Sequence, residues 1–547
     1  MSKRSKTAAV LSGVLASAML LTACSGSTSS SGSSSTATPP PDANSSSPAS
    51  SAVPSASDSQ PDSNERYVIT MLAPFYQQEP PSTKNNPVYD YVQEVTGVDL
   101  QITWTPNGEA ENKFNVMMAG NDMLMVMNGG NASSSNFIRM CDTGAFWDLT
   151  DIIGDYPFIT ETLMSAVQVN SSLTKGRRYC IPSAVPDARI GLVYRQDWVE
   201  NLEKTVGYKM PEILSAQDIY DLAKMFTEND PDGNGVNDTT GFNYVDDQDK
   251  EVNYGFNTIA VACGAPNRYG YRDGKVVAYF QTEEYRNALR MMHDMYANGY
   301  LNSEFMTLGS GAKYNPMLEG RAGFMFTTAT NAVTPGGKFD TLIATNPEAK
   351  IGYKLLTLDP NGNKVINSNI TGVSGGVVLT KAKVATEDDV RRILQFFVDA
   401  NQGEAAKAID IGIQDIHYTV GADNTITISE DQKALRTSDG SEEIFASIMP
   451  RRILADDWGQ PLSAKDKINK EFAERTQFAV PDISVGLLSS ENVQLENSIA
   501  SLIYDARAQY IMGFIDDAAF DKAVETWLSS GGQQILDELQ ANYVPEK

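Results

Sequence analysis

The forty residues from Ser25 to Asn64 hold one large apolar side chain, Val53, among Ser, Ala, Thr, Pro, Gly, Asn, Gln and Asp. A stretch so poor in apolar surface cannot offset the entropy of ordering itself, so it reads as a flexible stalk, locally stiff at Pro39-Pro40-Pro41. The capacity to fold therefore lies in residues 66–547, a length that exceeds one hydrophobic core and predicts two domains. Ahead of the stalk, Lys3, Arg4 and Lys6 precede an apolar run from Ala8 to Leu20 and small residues at Thr22 and Ala23. That order predicts a secretory signal peptide over residues 1–23. The run is shorter than the about 20 residues a spanning helix needs, and no later stretch reaches that length.

The net charge of −26 disfavours nucleic acid and bare anionic lipid as partners. It is compatible with neutral or cationic ligands, a bound metal, or simple colloidal solubility. Beyond Cys24 the cysteines are Cys141, Cys180 and Cys263, an odd and scattered set that makes no disulfide framework. With only His293 and His417 in the chain, no Cys/His spacing supports zinc.

Strand and helix signals alternate. Residues 67–72 (YVITML), 98–104 (VDLQITW) and 123–127 read as strands. Between them, 87–96 reads as a helix stopped by Gly97, and 110–119 as a second helix. Later helices are predicted over 216–229, 283–298, 386–400, 403–409 and 520–543. This rhythm predicts an α/β fold.

Asp230-Pro231-Asp232-Gly233-Asn234-Gly235-Val236-Asn237-Asp238 has the spacing of a calcium loop. Asp230, Asp232, Asn234 and Asp238 would supply side-chain oxygens, the Val236 carbonyl a further one, and Gly235 the sharp turn. The twelfth position is Gly241 where a bidentate acid is usual, so Asp246, Asp247 or Asp249 would have to replace it. The ion would be structural. Asp359-Pro360-Asn361-Gly362-Asn363 reads as a hairpin turn. Gly372-Val373-Ser374-Gly375-Gly376 fits the GxSxG spacing, but a strand-like Val377–Thr380 follows where a nucleophile elbow needs a helix. No pair of carboxylates can be picked out as a glycosidase pair by spacing alone.

Leu21-Thr22-Ala23-Cys24 resembles the bacterial lipobox, which implies that Cys24 is lipidated and tethers the chain. Two or more acyl chains hold a protein far more firmly than one. The order of lipobox, stalk, β-α-β opening and later segments resembles the extracellular solute-binding lipoproteins of ABC importers, of the sugar and oligosaccharide-binding type. Gly144-Ala145-Phe146-Trp147-Asp148-Leu149-Thr150 resembles the element after the family's first ligand loop. Arg178-Tyr179-Cys180-Ile181-Pro182 resembles "Y-x-I-P", and Tyr194-Arg195-Gln196-Asp197-Trp198-Val199 resembles "R-x-D-W-L". Gly320-Arg321-Ala322-Gly323-Phe324-Met325 resembles "G-x-A-A-M". Gly412-Ile413-Gln414-Asp415-Ile416-His417-Tyr418 resembles "G-I-E-G-V-H-Y", with Asp415 where Gly is usual. Asn121-Asp122-Met123 departs from the family's Gly-Asp-x-Pro-Asp.

The resemblance implies two discontinuous α/β lobes joined by a hinge, the type II periplasmic-binding-protein-like fold, with the ligand in the cleft. One lobe would comprise 67–187 plus 366–416 and the other 188–365 plus 417–547, after a lipidated stalk over 24–65. Sugar rings are bound by aromatic faces and their hydroxyls by amides or charges. Trp104 and Trp458 are the expected stacking platforms. Matching segments add Asn128, Asn131, Arg195, Tyr254, Asn257, Thr328 and Asn331. The chain is expected to be a monomer with no enzymatic activity. It would sit on the outer face of the cell membrane, of a Gram-positive bacterium by the length of the stalk, and hand an oligosaccharide to an ABC permease. A peptide-binding or adhesive surface lipoprotein is the alternative, and a carbohydrate-active enzyme a more distant one.

Overall fold

The computed structural model describes residues 66–547 apart from 76–78, 129–133, 165–168, 170–171, 183–187, 247–253, 309–311, 334–336, 368–375, 442–443, 446–447, 453–457, 460–463 and 546–547. All of them belong to the unit Asn64–Lys547.

The first sheet grows from a β-α-β unit whose punctuation is local. Pro87 opens the helix Pro87–Thr96, the Asn86 side chain accepts the Tyr89 N–H, and Gly97 ends it at φ +66°. Strand Tyr67–Phe75 thereby pairs in parallel with Val98–Pro106 on one side, and with Val126–Asn128 on the other. Gly376–Leu379 then joins antiparallel to Val126–Asn128, and Ile181–Pro182 closes the row. Because side chains alternate along a strand, both faces need cover. Ile69, Met71, Val88, Val92, Leu100, Ile393 and Phe397 form the core on one face. Leu72, Met127 and Val378 meet Phe114, Phe137 and Phe146 on the other.

The second sheet runs in the order Ile351–Lys354, Ile190–Arg195, Ala322–Thr328, Thr240–Phe242. Its larger core is aromatic. Trp198 meets Phe226 edge-on at 5.4 Å, and Phe242 stacks on Phe324 at 4.8 Å. Gly241 is dictated by closeness: a Cβ there would lie 2.1 Å from the Ala223 carbonyl oxygen on helix Ala216–Glu228.

Two α/β lobes result, as expected, and the chain passes between them repeatedly. It leaves the first sheet after Ile181–Pro182 and enters the second at Ile190. It returns between Lys364–Asn367 and Gly376–Leu379. Residues Ile444, Phe445, Ile448 and Met449 still pack into the first core, although the expected boundary at 417 gives them to the second lobe. The chain then reaches helix Ala464–Arg475, whose Ile468 and Phe472 pack with Ala188, Ala329 and Ile366.

Other expectations shift in detail. The strand expected over 123–127 is Val126–Asn128. The helix expected over 520–543 is two helices, Asp517–Trp527 and Gln533–Asn542, broken where Gly531 adopts φ +128°. The turn at Asp359 joins strands Thr357–Leu358 and Lys364–Asn367 as a hairpin, its carboxylate accepting the N–H groups of Asn361 and Asn363.

Candidate ligand-binding cleft

The crossings show which ends of the two sheets face one another. In the first sheet, Gly376 pairs with Pro182 and Val377 with Asn128, so both crossings leave from the end where the parallel strands finish. In the second sheet, Ile190 pairs with Thr328, and the Ala329 N–H bonds the Arg189 carbonyl beside the same crossing. Ligands of open α/β sheets bind at the carboxyl ends of parallel strands. The facing ends therefore carry Phe75, Pro106 and Asn128 in the first lobe and Thr328, Asn331 and Asn367 in the second.

The expected site residues separate on this frame. Asn128 lies at the facing end and is buried. Thr328 is half-buried there, and the Asn331 amide donates to the Tyr314 hydroxyl and to Thr327 Oγ1, each at 3.0 Å. Asn257 sits on helix Tyr254–Ala262, 3% exposed, with neither amide atom hydrogen-bonded. Its neighbour Thr258 accepts the Asn367 amide at 3.3 Å, and Asn367 Oδ1 is buried without a partner. Leaving such atoms unsatisfied costs about 1–3 kcal/mol each, so a cluster of them next to a cleft suits a hydroxyl-rich ligand. Tyr254 is half-buried against the second core. The sequence reading missed Asn367, which carries no signal beyond its position before a crossing.

Arg195 is elsewhere. It ends its strand opposite Ile190, five residues from the facing end and so about 16 Å away at the usual strand rise. Its guanidinium is 4% exposed, donates to both Asp197 oxygens at 2.9 and 2.5 Å, and lies over the Trp198 ring. It is a structural ion pair that cannot share a site with Thr328. Trp104 is half-buried and packs on the first core. The Trp458 indole N–H donates to Asp410 Oδ2 at 3.0 Å, where Arg451 and Arg452 also converge. Cys24, Asn131, Ser374, Asp247 and Asp249 lie outside the described residues.

In the acidic loop, Asp230 adopts φ +45° and its carboxylate accepts the N–H groups of Asn234 and Gly235. The Asn234 amide bridges Asp232 and Asp238 at 2.9 and 3.2 Å. Asp232 is held above the usual carboxylate range, first by partial burial and then by Asp230 and Asp238 beside it. Among the described residues, no three Asp, Glu, His or Cys side chains are set to hold a metal by themselves. Asp246 is not available to complete the loop: it lies in a fully buried pair with Arg507, at 2.5 Å.

Neither histidine is placed for a triad. His417 is fully buried, accepts the Ile413 N–H through Nδ1 and bonds Asp439 through Nε2. It braces the turn in which Asp415, standing where Gly is usual, takes φ +64°. His293 Nδ1 lies 3.1 Å from the Ile511 carbonyl.

The model of the family described as bacterial extracellular solute-binding protein matches residues 76–404. Lipoprotein LipO of Bacillus subtilis (strain 168) is 29% identical over 490 residues, 89% of this chain and 94% of that protein. The polygalacturonan/rhamnogalacturonan-binding protein YtcQ of the same organism is 27% identical over 495 residues, 90% of this chain and 94% of that protein. Among solved structures, the S. pneumoniae ABC-transporter substrate binding protein FusA in complex with kestose superposes with a TM-score of 0.62 at 16% identity, covering 87% of this chain and 98% of that one. The fold is thus the type II binding-protein fold.

Proposed function

This chain belongs to the bacterial extracellular solute-binding proteins, and from that premise we propose that it captures an oligosaccharide between its lobes and delivers it to an ABC permease. The observation that carries the reading is the set of buried, unsatisfied amide atoms of Asn257 and Asn367 at the facing end of the second lobe. Sugar hydroxyls donate and accept, so they match amides, and aromatic residues are not required for every contact. The name of YtcQ and the kestose bound to FusA support a carbohydrate ligand. The chain performs no chemistry on it: binding and lobe closure are the whole of its action, and the closed form is what a permease reads. Cys24, through its lipids, holds the protein at the outer face of the membrane. Among the described residues no helix is long and apolar enough to cross a membrane.

Calcium fits the acidic loop in part. Asp230, Asp232, Asn234, Asp238 and the Val236 carbonyl would hold it, and the cation would relieve the crowding felt by Asp232. Gly241 cannot give way to an acid, and Asp246 is committed to Arg507, so water would fill the remaining positions.

A thermal-shift screen of the full chain against neutral and acidic oligosaccharides and peptides, with and without calcium, tests the reading. A ligand at about 100 times its dissociation constant adds about 2.7 kcal/mol. Stabilisation by peptides alone would keep the fold and overturn the ligand.

A further inference from the structure

Lys175 is held out from the first lobe by a two-residue turn. Strands Leu173–Thr174 and Arg177–Arg178 pair antiparallel, and between them Lys175 and Gly176 take φ of +51° and +74°. Left-handed backbone at both central positions matches the twist of a hairpin, so the Lys175 side chain starts from a fixed place. Its ammonium donates to both oxygens of Asp142, at 3.0 and 2.8 Å. Asp142 ends helix Ser135–Asp142, which covers the Leu72 face of the first sheet through Phe137 and Cys141. A carboxylate is disfavoured there, because the C-terminus of a helix is the negative end of its dipole.

What faces this pair belongs to the other lobe. Helix Ser490–Ile511 packs against helix Ser135–Asp142. Its C-terminal half is fixed in the second core by Ile503, Ile511 and the buried Arg507–Asp246 pair. Glu491 stands in its first turn, and Glu538 is tied to its start: the Ser489 N–H and hydroxyl donate to Glu538 at 3.1 Å, and the Asn492 amide at 2.6 Å. Lys175 is held above the usual lysine range, first by its hydrogen bond to Asp142 and then by the charges of Asp142, Glu491 and Glu538. Glu491 is held below the usual carboxylate range, first by hydrogen bonds from its own backbone and Ser490, and then by Lys175.

The chain does not cross between lobes through this contact. Its crossings leave the first lobe after Pro182, before Gly376 and after Met449, and the last of these passes the opposite face of the sheet, beside Ile69. Side chains alone join the two helices, so they can part. Three carboxylates here meet one ammonium. Arg139 on the same helix bonds Asn136, and Arg177 in the hairpin bonds Asp148. The neighbouring stretches outside the described residues, 129–133, 165–168 and 170–171, carry no ionisable side chain. Without Lys175, Asp142 of one lobe would repel Glu491 and Glu538 of the other.

We propose that Lys175 is a clasp between the lobes: bonded to Asp142, it holds the acidic start of helix Ser490–Ile511 and sets how much of the protein is closed before a ligand arrives. The inference goes beyond ligand capture and rests only on the lobes being able to part. The Lys175 side chain is 47% exposed, so the clasp biases the equilibrium and does not lock it. Whatever stabilises the closed form adds to the affinity for a ligand that prefers that form.

The test needs no ligand. The full-length chain, with donor and acceptor dyes on azidophenylalanine at positions 95 and 514, is read by single-molecule energy transfer. Both positions are exposed, one in each lobe. Phe514 follows the 22-residue helix and so lies about 33 Å from its start, where a small rotation gives a large displacement. In low salt the closed-to-open ratio is expected to fall up to about fivefold in Lys175→Glu and less in Lys175→Met. Adding Glu491→Lys to Lys175→Glu should return it toward wild type. In 1 M salt, where the screening length is about 3 Å, wild type and Lys175→Glu should converge. Equal melting temperatures show that the exposed variants fold. An unchanged ratio in Lys175→Glu, or a fall that Glu491→Lys does not reverse, overturns the clasp. A single population common to all variants overturns it too, because the helices then do not part. Sugar capture is judged separately by the thermal-shift screen, so either reading can fail alone.

Discussion

Replacing Asp246 by Asn isolates a charge where water cannot reach it. Arg507 is 1% exposed and the Asp246 carboxylate 0% exposed, so no solvent screening discounts the pair. The guanidinium also lies over the rings of Phe256 and Tyr504, 5.2 and 5.0 Å away, and cannot turn out to water without breaking that packing. Removing one partner of a buried pair costs about 3–5 kcal/mol. At the ~2 °C per kcal/mol of a large domain, the midpoint should fall by ~6–10 °C. Asp246→Leu combined with Arg507→Met should recover much of this, because a buried pair replaced by apolar groups is often nearly neutral. Differential scanning calorimetry of wild type, Asp246→Asn, Asp246→Leu, Arg507→Met and the double variant, each in calcium and in chelator, reads the loss and closes the cycle. The loss should be the same in both media. A loss that appears only in calcium would make Asp246 a ligand of the acidic loop, and a loss below about 1 kcal/mol would refute the assigned desolvation cost.

Gly241→Ala should be the most damaging small substitution, lowering stability by more than about 3 kcal/mol in denaturant titration, since its Cβ meets backbone at 2.1 Å. Asp232→Ala should abolish any rise of the melting temperature with calcium and be nearly neutral in chelator, because it also relieves the crowding of Asp230 and Asp238. Thr386 caps helix Glu387–Asp399 and, by its hydrogen bond first, holds Asp389 below the usual carboxylate range, with Tyr67 adding to it. A depressed carboxylate stabilises above its unfolded pKa of about 3.9 and the contribution fades as pH falls through the lower folded value. Thr386→Ala should therefore cost about 1 kcal/mol at pH 7 and less below pH ~3, by urea titration across pH. Lys175 is bonded to Asp142 and also feels Glu491 and Glu538 on elements of the second lobe. Lys175→Glu should weaken binding of the captured sugar by up to about fivefold, the ceiling for an exposed pair, and the effect should shrink in high salt.

Helix punctuation was legible wherever it is local. Asn86, Pro87 and Gly97 specify one helix between them, and the structure keeps its bounds. The break after Trp527 also had a signal, Ser529-Ser530-Gly531-Gly532, which the apolar spacing on either side concealed. Arg195 misled because its segment is a family signature, and signatures mark packing as readily as binding. Its partner stood two residues away at Asp197, in the first turn of the following helix, where an acid is expected for the helix dipole. Asp246 was legible only as an acid near a metal loop, because its partner Arg507 lies 261 residues further on. Separations of 109, 41 and 48 residues likewise hid Thr258 from Asn367, and Asp410 from Arg451 and Trp458: tertiary neighbours that no periodicity announces.

The order of strands in the first sheet also sets a clock. Gly376–Leu379 lies between Val126–Asn128 and Ile181–Pro182, so a strand made late completes a row begun early. A chain made from its N-terminus leaves Val126–Asn128 with no neighbour on that side until residue 379 has emerged, and closes its core only with Ile444 to Met449. Contacts so far apart in sequence form slowly. The first lobe therefore cannot close its core until most of the chain has been made. Until then Val126–Asn128 presents a bare strand edge, the kind of surface on which chains associate.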